Sequence, residues 1–129
     1  MIQPFDVTTD VATEETRKSN LLLQAALLRD QGQLEQASAL FATAAEIEER
    51  LAIEADKRKD NAHALRSWYS AASAWAHAGD FHHALTLLKA LEGRADVPAA
   101  LRTRIHAFSE QVQQQRQHWS ETLRELASA

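Results

Sequence analysis

Apolar residues recur at helical spacing along most of the chain, and the pattern is clearest in its middle. Four residues there follow the i, i+3, i+4, i+7 spacing of one helical face: Trp68, Ala71, Ala72 and Trp75. Gly79 ends this helix, and Asp80 is the predicted N-cap of the next one. The apolar spacing then resumes at Ala84, Leu85, Leu88 and Leu91. The pattern predicts a helical hairpin in which alanines allow close approach and indoles fill the remaining space.

The same pattern appears earlier in the chain. A first helix is predicted over Val11–Gln31, ended by Gly32, with a broad apolar face made of Leu21, Leu22, Ala25, Ala26, Leu27 and Leu28. A second helix opens at Gln33 and carries two neighbouring stripes: Leu34, Ala37, Phe41 and Ala44 in one, Leu40, Ile47 and Leu51 in the other. Two stripes predict contacts on two sides, as expected for a helix inside a stack.

The boundary between the two hairpins is less clearly marked. No Gly or Pro occurs between Gln33 and Ala78, so we place the break at Asp60-Asn61, after a run of charged residues. Asp and Asn are favoured N-caps. One continuous helix through this region is the alternative, and it would produce an extended rod or a swapped dimer.

The C-terminal quarter predicts one long helix. Gly93–Asp96 is a predicted loop in which Asp96 caps, and Val97-Pro98 supplies the first turn of a helix over residues 97–127. Its apolar stripe contains Leu101, Ile105, Phe108, Val112, Trp119, Leu123 and Leu126. The helix either covers the exposed edge of the last hairpin or uses its distal half, Gln111 to Leu126, to pair with another chain. In the second case the predicted oligomer contacts are Val112, Trp119 and Leu123.

The first ten residues show no periodicity and are predicted to form an N-terminal tail. Ile2 and Phe5 would anchor this tail, or they would let it dock on another copy. The sequence therefore predicts an all-α single domain over residues 11–129: a hairpin over 11–59, a hairpin over 61–92, and the C-terminal helix.

An internal repeat connects the two hairpins. Gly32–Ala37 matches Gly79–Ala84 position by position, at an offset of 79 − 32 = 47 residues. The Trp68, Ala71, Ala72, Trp75, Ala84 and Leu88 positions resemble the tetratricopeptide pattern W-x2-L-G-x2-Y followed by A-x3-F. The long second helix makes the chain similar to the longer repeats of the kinesin light chain type. The resemblance implies a stack of α-α hairpins.

The resemblance also implies a protein-binding function. In tetratricopeptide stacks the first helix of each hairpin lines a concave groove, and the corresponding residues here are Arg29, Asp30, Arg66, Tyr69, Ser73 and His77. Tyr69 is the preferred contact because a phenol offers a large contact area at low entropic cost. The Lys and Asn residues with which chaperone-binding members clamp a terminal carboxylate are absent from these positions, which argues against that ligand class.

Composition argues against several other functions. The chain has 129 residues and no cysteine, which removes thiol chemistry. No Gly-rich phosphate loop, G-x-S-x-G motif or H-E-x-x-H pair is present, so we expect no enzyme, cofactor or metal site. The carboxylates Glu46, Glu48, Glu49 and Glu54 are interpreted as a solvated face. The net charge of −4 argues against a nucleic-acid binder, although Lys57, Arg58 and Lys59 form a basic cluster.

The expected location is the cytoplasm, since no signal peptide or membrane span is recognisable. The leading functional hypothesis is a non-enzymatic adaptor or scaffold that binds a protein or peptide partner in a short groove. The alternative is a structural homo-oligomeric subunit assembled through the C-terminal helix. Both hypotheses place Trp75 in the core.

Overall fold

The structure, a computed structural model, describes residues 7–128, with side-chain burial from residue 11 onward. It contains five α-helices: α1 Val7–Asp30, α2 Leu34–Lys57, α3 Asn61–His77, α4 Phe81–Glu92 and α5 Ala99–Ser128. No strand occurs in this part of the chain, which confirms the all-α prediction. The first helix begins at Val7, earlier than the predicted Val11. The proposed anchors Ile2 and Phe5 lie outside the described residues.

Three turns of the same geometry connect the first four helices. Gly32, Lys59 and Gly79 each adopt a positive φ, of 79°, 61° and 86° respectively. The residue after each one donates its backbone N–H to a carbonyl five residues earlier: Gln33 to Leu28, Asp60 to Ala55 and Asp80 to Trp75, each at 2.9 Å. This is the Schellman motif, which satisfies carbonyls left free at a helix end.

The residue that closes each turn is also the N-cap of the next helix. The carboxylates of Asp60 and Asp80 accept backbone hydrogen bonds from His63 and His83, as N-cap residues do. The predicted break at Asp60-Asn61 is therefore confirmed, and the alternative of one continuous helix is wrong. At α5 the cap prediction is wrong. That helix begins at Ala99, where the Pro98 carbonyl accepts from Arg102, and the Asp96 carboxylate binds Arg94 instead.

Each helix packs against the next one along the chain, most extensively α2 against α3. Seven alanines of these two helices have fully buried side chains: Ala44, Ala45, Ala52, Ala55, Ala64, Ala71 and Ala72. Small side chains let two helices approach closely, and Trp75, only 8 % exposed, fills the space beside them. The Ser38 hydroxyl donates to the Ala78 carbonyl and connects α2 to the end of α3. Leu34 departs from its predicted stripe, being 65 % exposed.

The first part of α5 covers the exposed edge of α4, as a capping helix should. Its buried residues are Ile105, Ser109 and Val112, spaced four and then three residues apart. Beyond Val112 no residue of α5 is buried as far as Ser128. We call residues 113–128 the distal segment of α5. At 1.5 Å per residue it extends about 24 Å past the last packed position.

Candidate functional site

The groove residues predicted from the sequence separate into three environments. The first lies where the C-terminal ends of α1 and α3 meet above Phe41 of α2. The Arg29 guanidinium is 5.7 Å from the Phe41 ring centroid, and the His77 ring is 5.1 Å from it. Asp30 is exposed and lies 3.8 Å from Arg29. His77 Nδ1 is 2.8 Å from the Ser73 carbonyl oxygen of its own helix.

The second environment is the contact between α3 and α5. The Tyr69 ring lies 5.7 Å from the Phe108 ring and 5.3 Å from the Arg104 guanidinium, both on α5. Tyr69 is half-buried there and belongs to the border of the main core. Part of the Tyr69 ring, which the sequence analysis predicts to contact a partner, is therefore already used in packing against α5.

The third environment is a polar cavity of about 380 Å³ between α1 and α3, above α2. Arg66 is at its rim, and its lining residues are Glu15, Lys18, Glu48, His63, Arg66, Ser67 and Ser70. Lys18 Nζ lies 2.8 Å from Glu15 Oε2 and 2.8 Å from Glu48 Oε1. One ammonium group therefore forms an ion pair with each of the two carboxylates.

Burial and charge act in opposite directions on this triad. Burial raises the pKa of Glu48, and neighbouring Lys18 offsets only part of that effect. Burial works against the charged form of Lys18, but its contacts with Glu15 and Glu48 outweigh that effect and raise its pKa. Burial likewise works against the charged form of Glu15, whose pKa is nevertheless lowered by Lys18 and His63. The cavity therefore contains a compensated charge cluster that holds α1 on α2.

The interpretation of Glu48 and Glu49 as a solvated face is wrong. Glu48 is 2 % exposed, and Glu49 Oε2 accepts a 2.7 Å hydrogen bond from the Trp75 indole N–H. His83 Nε2 is 3.1 Å from the same oxygen, and its ring stacks on Trp75 at 4.1 Å. A signal for Glu48 was present in the sequence, since it lies between Ala44 and Ala52 at i+4 spacing on the apolar stripe of α2.

A second indole is held in the same way one heptad away. The Trp68 indole N–H donates to Asp56 Oδ2 at 2.8 Å. Arg94, in the loop before α5, donates to both oxygens of Asp56 at 3.0 and 3.1 Å, and it also binds Asp96. The Arg94 contacts lower the pKa of Asp56, with a further contribution from the Trp68 hydrogen bond. Sequence reasoning missed Arg94, because nothing in a loop sequence indicates which distant carboxylate it binds.

The three predicted oligomer contacts on α5 differ in burial. Val112 is fully buried against the core and is unavailable to another chain, so its inclusion among the oligomer contacts is wrong. Trp119 is 56 % exposed and Leu123 is 50 % exposed, and Leu126 beyond them is 69 % exposed. Exposed leucines also occur on the outer face of α1, at Leu23 and Leu27.

The buried and exposed residues of α5 belong to one continuous stripe. Its positions alternate four and three residues apart: Ile105, Ser109, Val112, Arg116, Trp119, Leu123 and Leu126. We call this set the α5 seam. Such spacing is typical of a helix that packs along its length on another helix. The first three positions have their partner within the domain, whereas the last four are exposed.

Other kinds of site find no support in the part of the chain that the structure describes. No group of three or more His, Cys, Asp or Glu side chains is arranged to hold a metal ion there. None of the described helices is long and apolar enough to cross a membrane. Comparison with known proteins gives no assignment, since no protein-family model matches the chain and no match is found among the curated proteins or the solved structures.

Proposed function

We propose that this protein is a non-enzymatic interaction module, an adaptor or scaffold of tetratricopeptide-like architecture, that binds another protein through the distal segment of α5. The observation that carries the proposal is the α5 seam, which leaves the domain with Trp119, Leu123 and Leu126 at least half exposed. A helix that packs for its first half and then continues its apolar spacing into solvent provides a surface for another helix.

The chemistry of these side chains supports a protein partner. Trp is enriched at the energetic centres of protein interfaces because its large ring buries much apolar area. The residues that lie beside the apolar positions on the helix surface are polar, among them Gln115, Ser120 and Thr122. An apolar centre with a polar rim is the usual arrangement of a protein interface.

A photo-crosslinking amino acid at position 119 tests the proposal in cells that express the protein natively. We expect a discrete protein adduct, identified by mass spectrometry. The matched control carries the same probe at position 23, since Leu23 is also exposed, at 71 %, but lies on α1 outside the α5 seam. An adduct at position 119 no stronger than at position 23 would reject the proposal.

The groove between α1 and α3 is a second candidate surface for the same adaptor function. It is supported by the exposed Arg66 side chain, which has no ion-pair partner within residues 11–128, at the rim of the 380 Å³ cavity. An acidic peptide would complement this guanidinium. A probe at position 70, on the cavity wall, should give an adduct that Arg66→Ala removes and Arg58→Ala leaves intact. An adduct unaffected by Arg66→Ala would contradict this surface.

A further inference from the structure

The polar cavity between α1 and α3 has the features of a small-molecule site, and it lies apart from the distal segment of α5. We propose that this cavity binds a small zwitterion, a molecule whose ammonium and carboxylate groups are separated by a short chain, as in a free amino acid. The ammonium group lies beside the Glu15–Lys18–Glu48 triad, and the carboxylate lies at the rim beside Arg66. The site goes beyond the protein-binding function proposed above and does not depend on it.

Charge compensation inside the triad is incomplete. The carboxylates of Glu15 and Glu48 share one ammonium group, that of Lys18. Glu48 is 2 % exposed and has no other cation beside it among the residues that the structure describes. His63 lies 3.2 Å from Glu15 and adds a positive charge only when it is protonated. A buried carboxylate with half a cation favours a further ammonium group nearby.

A buried hydroxyl without a partner lines the same cavity. Ser67 is 4 % exposed, and its hydroxyl has no hydrogen-bond partner within residues 11–128. Hydroxyls elsewhere in the helices, at Thr16 and Thr43 for example, donate to the carbonyl oxygen four residues earlier, as is common in helices. Buried polar groups are nearly always hydrogen-bonded, so the free Ser67 hydroxyl indicates a ligand atom in the cavity.

The rim of the cavity has the opposite charge. The Arg66 side chain is exposed there and has no ion-pair partner within residues 11–128. A guanidinium group binds a carboxylate through two parallel hydrogen bonds. The cavity is therefore negative beside the triad and positive at the rim.

This separation of charge determines the class of ligand. With His63 neutral, the lining has two positive side chains, Lys18 and Arg66, and two negative ones, Glu15 and Glu48. A simple anion would be repelled by the triad, and a simple cation would leave Arg66 without a partner, whereas a zwitterion satisfies both ends. The volume of about 380 Å³ is near the lower end of small-molecule sites, so the ligand is small.

NMR titration of the full chain tests the proposal with three probes: glycine, β-alanine and γ-aminobutyrate. We expect saturable shifts of the Ser67 and Ser70 backbone amide signals for at least one probe, with a dissociation constant on the order of 10⁻³ M. Acetate and methylammonium, each with half of the ligand's charge, are the matched controls at equal ionic strength. They should bind at least about tenfold more weakly. Absence of saturation with all three probes would overturn the proposal.

Two pairs of variants locate the ligand. Arg66→Ala should weaken binding of the best probe at least about tenfold, whereas Arg58→Ala, an exposed arginine outside the cavity, should leave it unchanged. Ser67→Ala should also weaken binding, and Ser73→Ala, on the same helix but outside the cavity lining, is its control. Equal effects within both pairs would show that the probe binds elsewhere.

Glu48→Gln tests the place of the ammonium group. Without the excess negative charge, acetate should bind as tightly as the best zwitterion. A preference for the zwitterion that survives Glu48→Gln would overturn the assignment of the ammonium group to the triad. Wild-type protein that binds acetate as tightly as the zwitterion, in a manner that depends on Arg66, would overturn the zwitterion site and keep the acidic-peptide surface proposed above.

Discussion

At the residue scale, the three interhelical turns use one backbone conformation with different side chains. Gly32 and Gly79 reach positive φ without steric cost, whereas Lys59 has a Cβ atom and adopts φ 61°. The left-handed conformation costs an L-residue about 1–2 kcal/mol. The turn at Lys59 is therefore formed at a cost that the capping by Asp60 and the packing of α2 on α3 offset.

Lys59→Gly should accordingly stabilise the protein by about 0.5–1 kcal/mol, since the relief of backbone strain exceeds the added entropy of the unfolded glycine. Gly79→Lys is the matched reverse change and should destabilise by about 1 kcal/mol, because a Cβ at Gly79 meets no atom within 4 Å and only the backbone cost applies. Urea unfolding measures both. The two substitutions should change the free energy of unfolding in opposite directions. A loss of stability in both variants would refute the explanation.

The Asp56 carboxylate joins three parts of the chain: α2, Trp68 of α3 and Arg94 of the loop before α5. Asp56→Asn should cost about 1–2 kcal/mol at pH 7, since it weakens two charged hydrogen bonds that solvent partly screens. The side chain is 34 % exposed, which keeps the figure small.

The cost of Asp56→Asn should also depend on pH. The pKa of Asp56 is lower in the folded state, so its stabilisation is present above the unfolded pKa and is lost as pH falls through the folded one. Urea unfolding at pH 7 and near pH 3 should therefore give a difference between wild type and variant that narrows at the lower pH. A constant difference would mean that the charge of Asp56 does not contribute.

At the element scale, indole–carboxylate hydrogen bonds fix the register of α2 against α3. Trp68 binds Asp56 and Trp75 binds Glu49, seven residues apart on each helix and in opposite chain directions. Trp75→Ala should destabilise by about 3–5 kcal/mol through the cavity it leaves. Trp75→Phe keeps most of the packing and leaves Glu49 without its indole donor, so about 1–2 kcal/mol is expected. Thermal unfolding distinguishes the two variants. A Trp75→Ala protein with unchanged stability would show that the Trp75 side chain does not pack in the core as described.

The attachment of α1 to α2 depends on a buried ion pair. Lys18→Met would leave Glu48 buried with no cation beside it, and removal of one partner of a buried pair typically costs about 3–5 kcal/mol. Burial already raises the pKa of Glu48. The folded state therefore takes up a proton more readily than the unfolded state, and the cost of Lys18→Met should shrink as pH falls towards 4.

Two further variants test the Lys18 prediction. Lys18→Met with Glu48→Gln should recover much of the lost stability, because the unpaired charge is gone. Lys57→Met is the surface control, since its 3.5 Å pair with Glu54 is exposed, and it should change stability by less than about 0.5 kcal/mol. Equal losses of stability in Lys18→Met and Lys57→Met would show that burial of the Lys18–Glu48 pair does not determine its contribution to stability.

At the scale of the whole molecule, the α5 seam divides at Val112 into a part that stabilises the domain and a part that is exposed to solvent. Val112→Ala should cost about 2 kcal/mol, because the side chain is fully buried. Trp119→Ala, one heptad later, should change the unfolding free energy of the monomer by less than about 0.5 kcal/mol. Urea unfolding of dilute protein, followed by circular dichroism, checks both predictions. A large loss at Trp119 would mean that the distal segment packs on its own domain.

The sequence by itself determined the features that depend on neighbouring residues. Helical periodicity defined five helices, and the Gly79-Asp80 and Asp60-Asn61 signals located two of their boundaries, because capping is a local hydrogen-bonding property. The positive φ of Lys59 was not foreseen, because Lys carries no preference for that conformation.

The tertiary structure alone decided which polar groups are buried and where packing ends. Glu48 and Glu46 have the same chemistry and lie two residues apart, yet one is buried beside Lys18 and the other is exposed. Val112 and Trp119 share one stripe, yet only the first meets the core. Periodicity states which side chains share a face, whereas burial depends on what lies opposite that face, and that is set by residues far away in the chain.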